Sequence, residues 1–160
     1  MTEKYQIYKC NICGNIVEVL HTGVGELVCC GQPMSSCAPS CAKATADKPA
    51  GASEDKSSEM ADKPAYRSFS ADRHIPVIEE LPANDCRTKD GVLIKIGEIE
   101  HPMEKDHHIE WIEIIVEDGK RGKRFLDLDD KPESKFYTRK KILGVRVYCN
   151  IHGLWELKEK

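Results

Sequence analysis

The chain has 160 residues, which is enough for one ordinary domain or two small ones. Its net charge of -3, with 32% charged and 40% hydrophobic residues, provides no overall basic field for nucleic acid. No apolar run approaches membrane-spanning length and the N-terminus lacks the apolar segment of a signal peptide, so we expect a cytoplasmic protein with no nucleic-acid or membrane partner. In that compartment, eight cysteines indicate metal binding or redox chemistry more than a disulfide framework.

The first unit, residues 1–36, is predicted to be a small metal-stapled β-hairpin domain. Its strand-like segments are 16–21 and 26–28, and the glycine-containing turn between them favours two paired strands. A unit this small cannot bury an adequate core, so we expect a bound metal to hold it folded.

Four cysteines of this unit form two pairs with metal-ligand spacing: Cys10, Cys13, Cys29 and Cys30. The first pair has C-x-x-C spacing, and Gly14 supplies the permissive backbone that a tight turn requires. Four thiolates in this pattern predict a tetrahedral site for zinc or for a single iron, and spacing alone does not choose between them. The adjacency of Cys29 and Cys30 is unusual for a zinc ribbon, because neighbouring residues of an extended segment point apart.

Residues 37–70 are predicted to be a flexible, low-complexity linker. The pentapeptide Ala-Asp-Lys-Pro-Ala occurs twice, and the apolar content is too low to offset the entropy of ordering. Cys37 and Cys41 open this linker and are expected to be solvated thiols, with a disulfide switch or an adventitious metal pair as alternatives. Cys86, further along, is predicted to be another loop thiol.

The remaining segment, residues 71–160, is predicted to fold as one immunoglobulin-like β-sandwich. Short strands alternate with turn signals, and no stretch has a convincing helical period. Pro76 restricts the first strand to a sheet edge or makes it the start of a strand. The predicted strands begin near His74 and continue at 92–99, 109–116, 124–126, 135–138 and 141–149, the last of them.

The last predicted strand ends in Cys149, which shares its face with three aliphatic residues. Such a cysteine is usually a small buried hydrophobe, but His152 follows at a spacing that lets a thiolate and an imidazole share one ion. Loops from successive strands cluster at one end of a sandwich, so three further histidines are expected to converge there: His74, His101 and His107. Four imidazoles and one thiolate exceed a closed tetrahedral zinc site and suit a five-coordinate iron with one open position. His108 is expected at the surface and His21 in the turn of the first unit.

On these residues the chain resembles the desulfoferrodoxin family, the two-iron superoxide reductases. The cysteine pairs resemble the desulforedoxin-like module of that family. The segments that start at His74 (His-Ile-Pro-Val-Ile-Glu), His101 (His-Pro-Met-Glu) and Cys149 (Cys-Asn-Ile-His-Gly-Leu-Trp) resemble its catalytic domain. The resemblance covers residues 1–36 and 71–160, and the linker between them is longer than expected for the family.

The resemblance implies two non-haem irons per chain, one held by the four cysteines and one by the four imidazoles with Cys149 as axial thiolate. It implies the reduction of superoxide to hydrogen peroxide with one electron and two protons, without production of oxygen. The axial thiolate is expected to push electron density into the iron and to weaken the bond to the departing peroxide. A rubredoxin-like electron donor and a homodimer are further expectations from the family.

The pair before the first ligand histidine departs from the family pattern, because Asp72 and Arg73 stand where Glu-Lys is usual. The resemblance assigns to the basic residue the attraction of superoxide and the ordering of a proton-donating water. It assigns to the acidic residue the role of a ligand that occupies the open coordination position of the resting ferric iron. Arg73 keeps the positive charge but spreads it over a planar fork that does not give up a proton, and Asp72 is one methylene shorter than glutamate.

Two other classes of function fit part of the pattern. A non-catalytic two-iron electron-transfer protein would use both centres without turnover and would have no open position. A zinc-ribbon adaptor would hold zinc in both sites, be colourless and bind a protein partner through the linker.

Overall fold

The structure is a computed structural model that describes residues 1–42, 73–81 and 91–159. It divides into two compact units, Met1–Pro39 and Ser40–Lys160. The described residues form strands and turns, apart from a single helical turn at Arg73 and His74, so the predicted all-β class is confirmed. In this described part of the chain, no helix is long and apolar enough to cross a membrane.

The first unit contains five very short strands: β1 Ile7–Lys9, β2 Ile16–Glu18, β3 Val28–Cys29, β4 Gln32–Pro33 and β5 Ser35–Ser36. Strand β1 lies between β2 and β5 in an antiparallel sheet, and β3 pairs with β4 in a separate two-stranded ladder. The buried apolar residues of this unit are few: Ile7, Cys10 and Val19.

The strand pairing predicted within this unit is wrong, because segments 16–21 and 26–28 do not pair with each other. Strand β2 pairs with β1 across the first cysteine pair, and β3 pairs with β4 across the second. The turn at Cys10 is closed by two backbone bonds, from its own N–H to Asn15 O (2.8 Å) and from Gly14 N–H to its carbonyl (3.0 Å). Each cysteine turn therefore closes its own hairpin.

The second unit contains eight strands: β6 Ser40–Ala42, β7 Pro76–Leu81, β8 Gly91–Ile96, β9 Ile109–Val116, β10 Arg121–Phe125, β11 Glu133–Tyr137, β12 Ile142–Cys149 and β13 Gly153–Lys158. They form a five-stranded sheet in the order β10-β9-β12-β13-β6 and a three-stranded sheet in the order β11-β8-β7. All neighbours are antiparallel except β13 and β6. A shared apolar core joins the two sheets, and the predicted sandwich is confirmed.

Strand β12 is the centre of the larger sheet, and its alternation carries the last cysteine into the core. Val145, Val147 and Cys149 are all fully buried on the face that meets Ile94 and Ile96 of the smaller sheet. Full burial of a valine- or isoleucine-sized side chain contributes about 1.5–3 kcal/mol. The end of β12 is therefore anchored by the core of this unit.

The opposite face of the larger sheet buries an ion cluster centred on Glu113, which is only 2% exposed. Its carboxylate accepts hydrogen bonds from Arg146 Nε at 2.6 Å and from Arg121 at 3.0 Å, and Lys123 Nζ lies 3.5 Å away. Arg146 is itself buried, so the two charges neutralise each other away from solvent.

Strands 92–99 and 124–126 were predicted with other bounds than the observed Gly91–Ile96 and Arg121–Phe125, and two further strands, β13 and β6, were not predicted at all. Strand β13 follows the strand that was predicted to be the last. Its apolar residues Leu154 and Leu157 are buried on opposite faces, so its sequence lacks the alternation of apolar and polar residues that indicates a strand. The predicted linker 37–70 begins inside ordered structure, because Ser40–Ala42 pairs in parallel with β13. The rest of the linker lies outside the described residues.

Candidate metal centres

The first centre is the set of four cysteines in the first unit, whose sulfurs all lie within 4.8 Å of one another. Cys13 Sγ is 3.5 Å from Cys29 Sγ, and Cys29 Sγ is 4.0 Å from Cys30 Sγ. In a tetrahedral site with metal–sulfur bonds of about 2.3 Å, the sulfurs lie about 3.8 Å apart. The donor set therefore fits a four-coordinate metal ion.

The turn that joins β3 to β4 lets two adjacent cysteines face one centre. Cys29 is extended and ends β3, whereas Cys30 has φ of 51° and Gly31 has φ of 75°. Two consecutive positive φ values are characteristic of the tight hairpin turn that matches strand twist. The left-handed backbone at Cys30 swings its side chain back beside that of Cys29, which removes the difficulty that adjacency posed.

The protonation of these thiols also favours a bound cation. Hydrogen bonds from the backbone amides of Cys13 and Ile12 lower the pKa of Cys10 to about 6. A hydrogen bond shared with Cys13 raises the pKa of Cys30 to about 12, so in the absence of a cation one thiolate forms at the expense of the others. A metal ion supplies the positive charge that lets all four ionise together.

The second centre is a square of four imidazole rings at one end of the sandwich: His74, His101, His107 and His152. Neighbouring ring centroids are 4.6–4.8 Å apart with interplanar angles of 68–77°, in the cyclic order just given. Across the diagonal, His74 and His107 are 6.3 Å apart and closer to parallel, at 30°. Four edge-to-face rings around one point are the arrangement that four equatorial nitrogen ligands require.

The nitrogens of these rings point at a common centre, and one sulfur joins them. His74 Nε2 lies 3.0 Å from His101 Nε2, and His107 Nε2 lies 3.1 Å from His152 Nδ1. Cys149 Sγ lies 3.4 Å from His152 Nδ1, and all five donor atoms fall within 4.8 Å of one another. Imidazole nitrogen with thiolate sulfur is a donor set typical of iron, copper or zinc, and five donors exceed a closed tetrahedral zinc site.

The two sides of the square differ in exposure. His74, His101 and Cys149 are buried, whereas His107 and His152 are half-buried on loops. Solvent therefore reaches the square from the side of His107 and His152.

The buried imidazoles are fixed by groups behind them. His101 Nδ1 lies 2.6 Å from Pro102 O, which favours the tautomer that protonates Nδ1 and leaves Nε2 free to bind a metal. The ring of His74 stacks on that of Trp155 at 4.8 Å and 15°. Burial lowers the pKa of His101 to about 3, and it also lowers the pKa of His107 and of His152, which keeps these rings in the neutral, metal-binding form.

The backbone of Arg73 and His74 is seated against Gly97, at the end of β8. Gly97 has φ of 83°, and a Cβ there would lie 2.5 Å from Ile99 O and 2.7 Å from Arg73 O. Its N–H donates to Ile75 O at 3.0 Å. Arg73 is half-buried, and its charge contributes to the lowered pKa of His107, so it acts on the square. Asp72 lies outside the described residues.

The structure brings together every residue of the two predicted metal-binding sets. His21 lies in the bend that follows β2 and is exposed, in agreement with its predicted place in the turn of the first unit. His108 was expected at the surface and is half-buried, with Nδ1 3.0 Å from Glu104 O. Cys37 is half-buried, and burial raises its pKa, so it is not the fully solvated thiol that was predicted. Cys86 and the side chain of Cys41 lie outside the described part.

Three contributors to the second centre were not predicted: Gly97, Asn150 and Trp155. Asn150 and Trp155 lie in the same segment as Cys149 and His152, but neither has a side chain that typically binds iron. Their contacts assign them a place, because Trp155 stacks on His74 and Asn150 Oδ1 lies 3.9 Å from Cys149 Sγ.

Comparison with known proteins gives matches along nearly the whole chain. A family model described as Desulfoferrodoxin matches residues 67–158, and one described as Desulfoferrodoxin, N-terminal domain, matches residues 2–36. A desulfoferrodoxin of Syntrophotalea carbinolica is 42% identical over an alignment of 155 residues that covers 97% of each chain. A superoxide reductase of Pyrococcus abyssi is 37% identical over 106 residues, covering 55% of this chain and 86% of that protein. The crystal structure of the superoxide reductase from Treponema pallidum covers 98% of both chains with a TM-score of 0.60, and at 18% identity it shows a shared fold.

Proposed function

The chain belongs to the desulfoferrodoxin family, and we propose that it is a superoxide reductase that converts superoxide to hydrogen peroxide without producing oxygen. The observation that carries the proposal is the second centre, a square of four imidazole rings beside the buried sulfur of Cys149. Relatives named superoxide reductase support the same activity. The reaction consumes one superoxide, one electron and two protons for each hydrogen peroxide formed.

The two donor sets match the two irons of the family. We assign the first non-haem iron to four thiolates: Cys10, Cys13, Cys29 and Cys30. The residues that would hold the second iron are four imidazoles and one thiolate: His74, His101, His107, His152 and Cys149.

A ferrous iron bound by these five donors would supply the electron that superoxide takes up. Neighbouring groups of the protein hold the donor side chains in the orientation that this chemistry requires. His101 is held in one tautomer by Pro102 O, and Trp155 covers one face of His74, so the square is fixed before substrate arrives. Cys149 is fully buried, so water does not reach its sulfur, and a small anion approaches from the side of His107 and His152.

We assign to Arg73 the guidance of superoxide towards the second centre. Its positive charge is close enough to lower the pKa of His107, on the side that solvent reaches. A guanidinium does not release its proton at neutral pH, so both protons come from water. We propose that Asp72 would serve as a further ligand of the second iron at rest, as the resemblance implies.

The second centre is oxidised in each reaction, so an electron donor must reduce it again. We propose a rubredoxin-like donor, in keeping with the family, and a homodimer in the cytoplasm. We propose that residues 1–36 form the domain that binds the first iron and that residues 71–160 form the domain that binds the second. Light scattering of the purified protein tests the dimer, and a scattering mass of one chain contradicts it.

Replacement of Cys149 by serine tests the function. The variant is expected to lose the sulfur-to-iron charge-transfer absorption of the oxidised protein. Superoxide reduction should fall by at least about 100-fold, because changes behind a ligand alone cost about 10- to 100-fold. The measurement is superoxide consumed and hydrogen peroxide formed under anaerobic conditions, with oxygen monitored. Cys37→Ser is the matched control, since Cys37 is a partly buried cysteine outside both donor sets.

The outcomes separate the proposal from its rivals. One peroxide per superoxide without oxygen, lost in Cys149→Ser and kept in Cys37→Ser, supports a superoxide reductase. A ferric spectrum that azide leaves unchanged, together with no peroxide, supports a non-catalytic electron-transfer protein. Zinc in both centres of anaerobically purified protein contradicts both readings.

A further inference from the structure

The solvent-side half of the second centre rests on two separate loops. His107 lies in the segment that connects β8 to β9, and His152 lies in the turn between β12 and β13. Both rings are half-buried, and Ile151 beside His152 is 55% exposed, so the core does not hold this half as it holds Cys149. Even so, His107 Nε2 and His152 Nδ1 lie only 3.1 Å apart. Contacts other than core packing must therefore hold the two loops at this short distance from each other.

Asn150 connects these loops through three hydrogen bonds. Its backbone N–H donates to His108 O at 3.2 Å, and its Oδ1 accepts from His108 N–H at 3.0 Å. Its Nδ2 donates to Asp106 O at 3.0 Å. The bonds therefore reach the residues on both sides of His107 in the chain.

The position of Asn150 explains why a side chain is needed there. The pairing of β12 with β9 shifts register after Tyr148, so the regular ladder of backbone bonds ends at Cys149 and Ile109. The amide of Asn150 offers one acceptor and one donor at the point where that ladder stops, and it continues the pairing onto the loop. A side chain without both functions cannot make both side-chain bonds.

The loop that carries His107 is also closed on itself. Glu104 and His107 exchange two backbone hydrogen bonds, each of 3.0 Å, so residues 104–107 form one small closed turn. Because the turn is closed, the bond to Asp106 O places the whole turn, including His107.

We propose that Asn150 is a positioning residue that sets His107 against His152 and thereby fixes the solvent-side half of the square. The inference rests on the proposed assignment of the second iron to these residues. Loss of the Asn150 side chain frees the His107 turn to move away from the square, which lowers iron retention and distorts the four equatorial nitrogens. Asn150 is not itself a ligand; it acts through His107, and its Oδ1 also accepts a weak contact of 3.9 Å from Cys149 Sγ.

The test compares Asn150→Ala and Asn150→Asp with the unaltered full-length iron protein. Alanine removes both side-chain bonds, whereas aspartate keeps an acceptor for His108 N–H and loses the donor to Asp106 O. Thr138→Ala is the matched control, because Thr138 Oγ1 also accepts a loop amide, that of Lys140 at 3.1 Å, on an exposed turn of the same unit. The readouts are the rate at which a chelator removes the second iron, followed by its charge-transfer absorption, and the ferric electron paramagnetic resonance spectrum.

Asn150→Ala is expected to lose the second iron about 10- to 100-fold faster, the usual effect of removing a group that orients a ligand. Its ferric resonance should also show altered rhombic distortion, and Asn150→Asp should fall between alanine and the unaltered protein. Thr138→Ala should match the unaltered protein in both readouts. Unchanged iron loss and an unchanged resonance in Asn150→Ala would overturn the proposal, and so would an equal change in Thr138→Ala. Neither readout uses superoxide, so an unaltered protein that lacks reductase activity contradicts the proposed function and leaves this inference standing.

Discussion

The two centres of this protein differ in what holds their donor atoms in place. In the first unit, the cysteines lie on turns between strands of two or three residues, and Cys13 and Cys30 are exposed. In the second unit, Cys149 ends an eight-residue strand of the sandwich core, and His74 and His101 are buried beside it. We therefore expect the same type of ion to have two different structural roles: it should fold the first unit, whereas an already folded second unit holds it.

Burial explains the difference. A fully buried aliphatic side chain contributes about 1.5–3 kcal/mol, whereas ordering a residue costs about 1–2 kcal/mol of backbone entropy. The few buried apolar residues of the first unit cannot offset the ordering of its chain, so bonds to a metal must contribute. The second unit has an extensive core of its own that joins both sheets.

The largest expected effect is the loss of the first unit in Cys13→Ser. Without one of four thiolates the metal is lost, and residues 1–39 should become sensitive to protease. The second unit should keep its fold and its reaction with superoxide. Both tryptophans, Trp111 and Trp155, belong to the second unit, so fluorescence during urea unfolding reports on it alone. A shifted fluorescence midpoint or loss of superoxide reduction would show that the two units depend on each other.

The next effect is expected from Glu113→Gln, which tests whether the second unit supplies its own stability. Removal of the carboxylate leaves the buried Arg146 without its charge partner, which typically costs about 3–5 kcal/mol. Urea unfolding followed by fluorescence measures this cost, while the first iron should be retained. The control is Glu79→Gln, whose ion pair with Lys95 at 2.7 Å is exposed and should contribute about 1 kcal/mol or less. Equal costs for the two variants would show that burial does not strengthen the Glu113 cluster.

A smaller effect is expected from Gly97→Ala, because the backbone of His74 is seated by close packing. A positive φ at a residue other than glycine costs about 1–3 kcal/mol, and the added Cβ must also displace Arg73 O or Ile99 O. Gly119→Ala is the control, since Gly119 has a similar φ of 76° but nothing within 4 Å of the added Cβ. Both variants should lose stability by strain, and only Gly97→Ala should shift the charge-transfer absorption of the second iron. An unchanged absorption would show that Gly97 does not position His74.

The smallest effect is expected from Arg73→Ala, which tests guidance of the substrate and not the structure of the centre. The bimolecular rate with superoxide should fall about 10-fold, the low end of what electrostatic steering supplies. Its dependence on ionic strength should flatten, because salt screens such steering over about 10 Å at 0.1 M. Pulse radiolysis across a salt series measures both, and iron content and ferric spectrum should not change. Equal rates with equal salt slopes would mean that Arg73 does not guide superoxide.

The amino-acid sequence by itself determined the chemistry and most of the strands. Spacing singled out the cysteines of the first centre, and the ends of predicted strands singled out the histidines and Cys149. Strand 109–116 was predicted with its observed bounds, because its run of isoleucine, tryptophan and valine is typical of a strand and the Asp118-Gly119 turn follows it. These features are local, so a single sequence contains them.

The tertiary structure alone decided which strands pair, how adjacent cysteines face one ion, and what holds the square of imidazoles. Strand β13 was missed because both of its faces are covered, so its apolar residues do not alternate. The left-handed backbone at Cys30 and the close packing of Arg73 against Gly97 are compatible with these residue types but cannot be predicted from them. Asn150 has no metal-binding chemistry of its own, and its role follows from hydrogen bonds to residues more than 40 positions away in the chain. Such contacts form only when distant segments pack together, which is why local pattern could not reveal them.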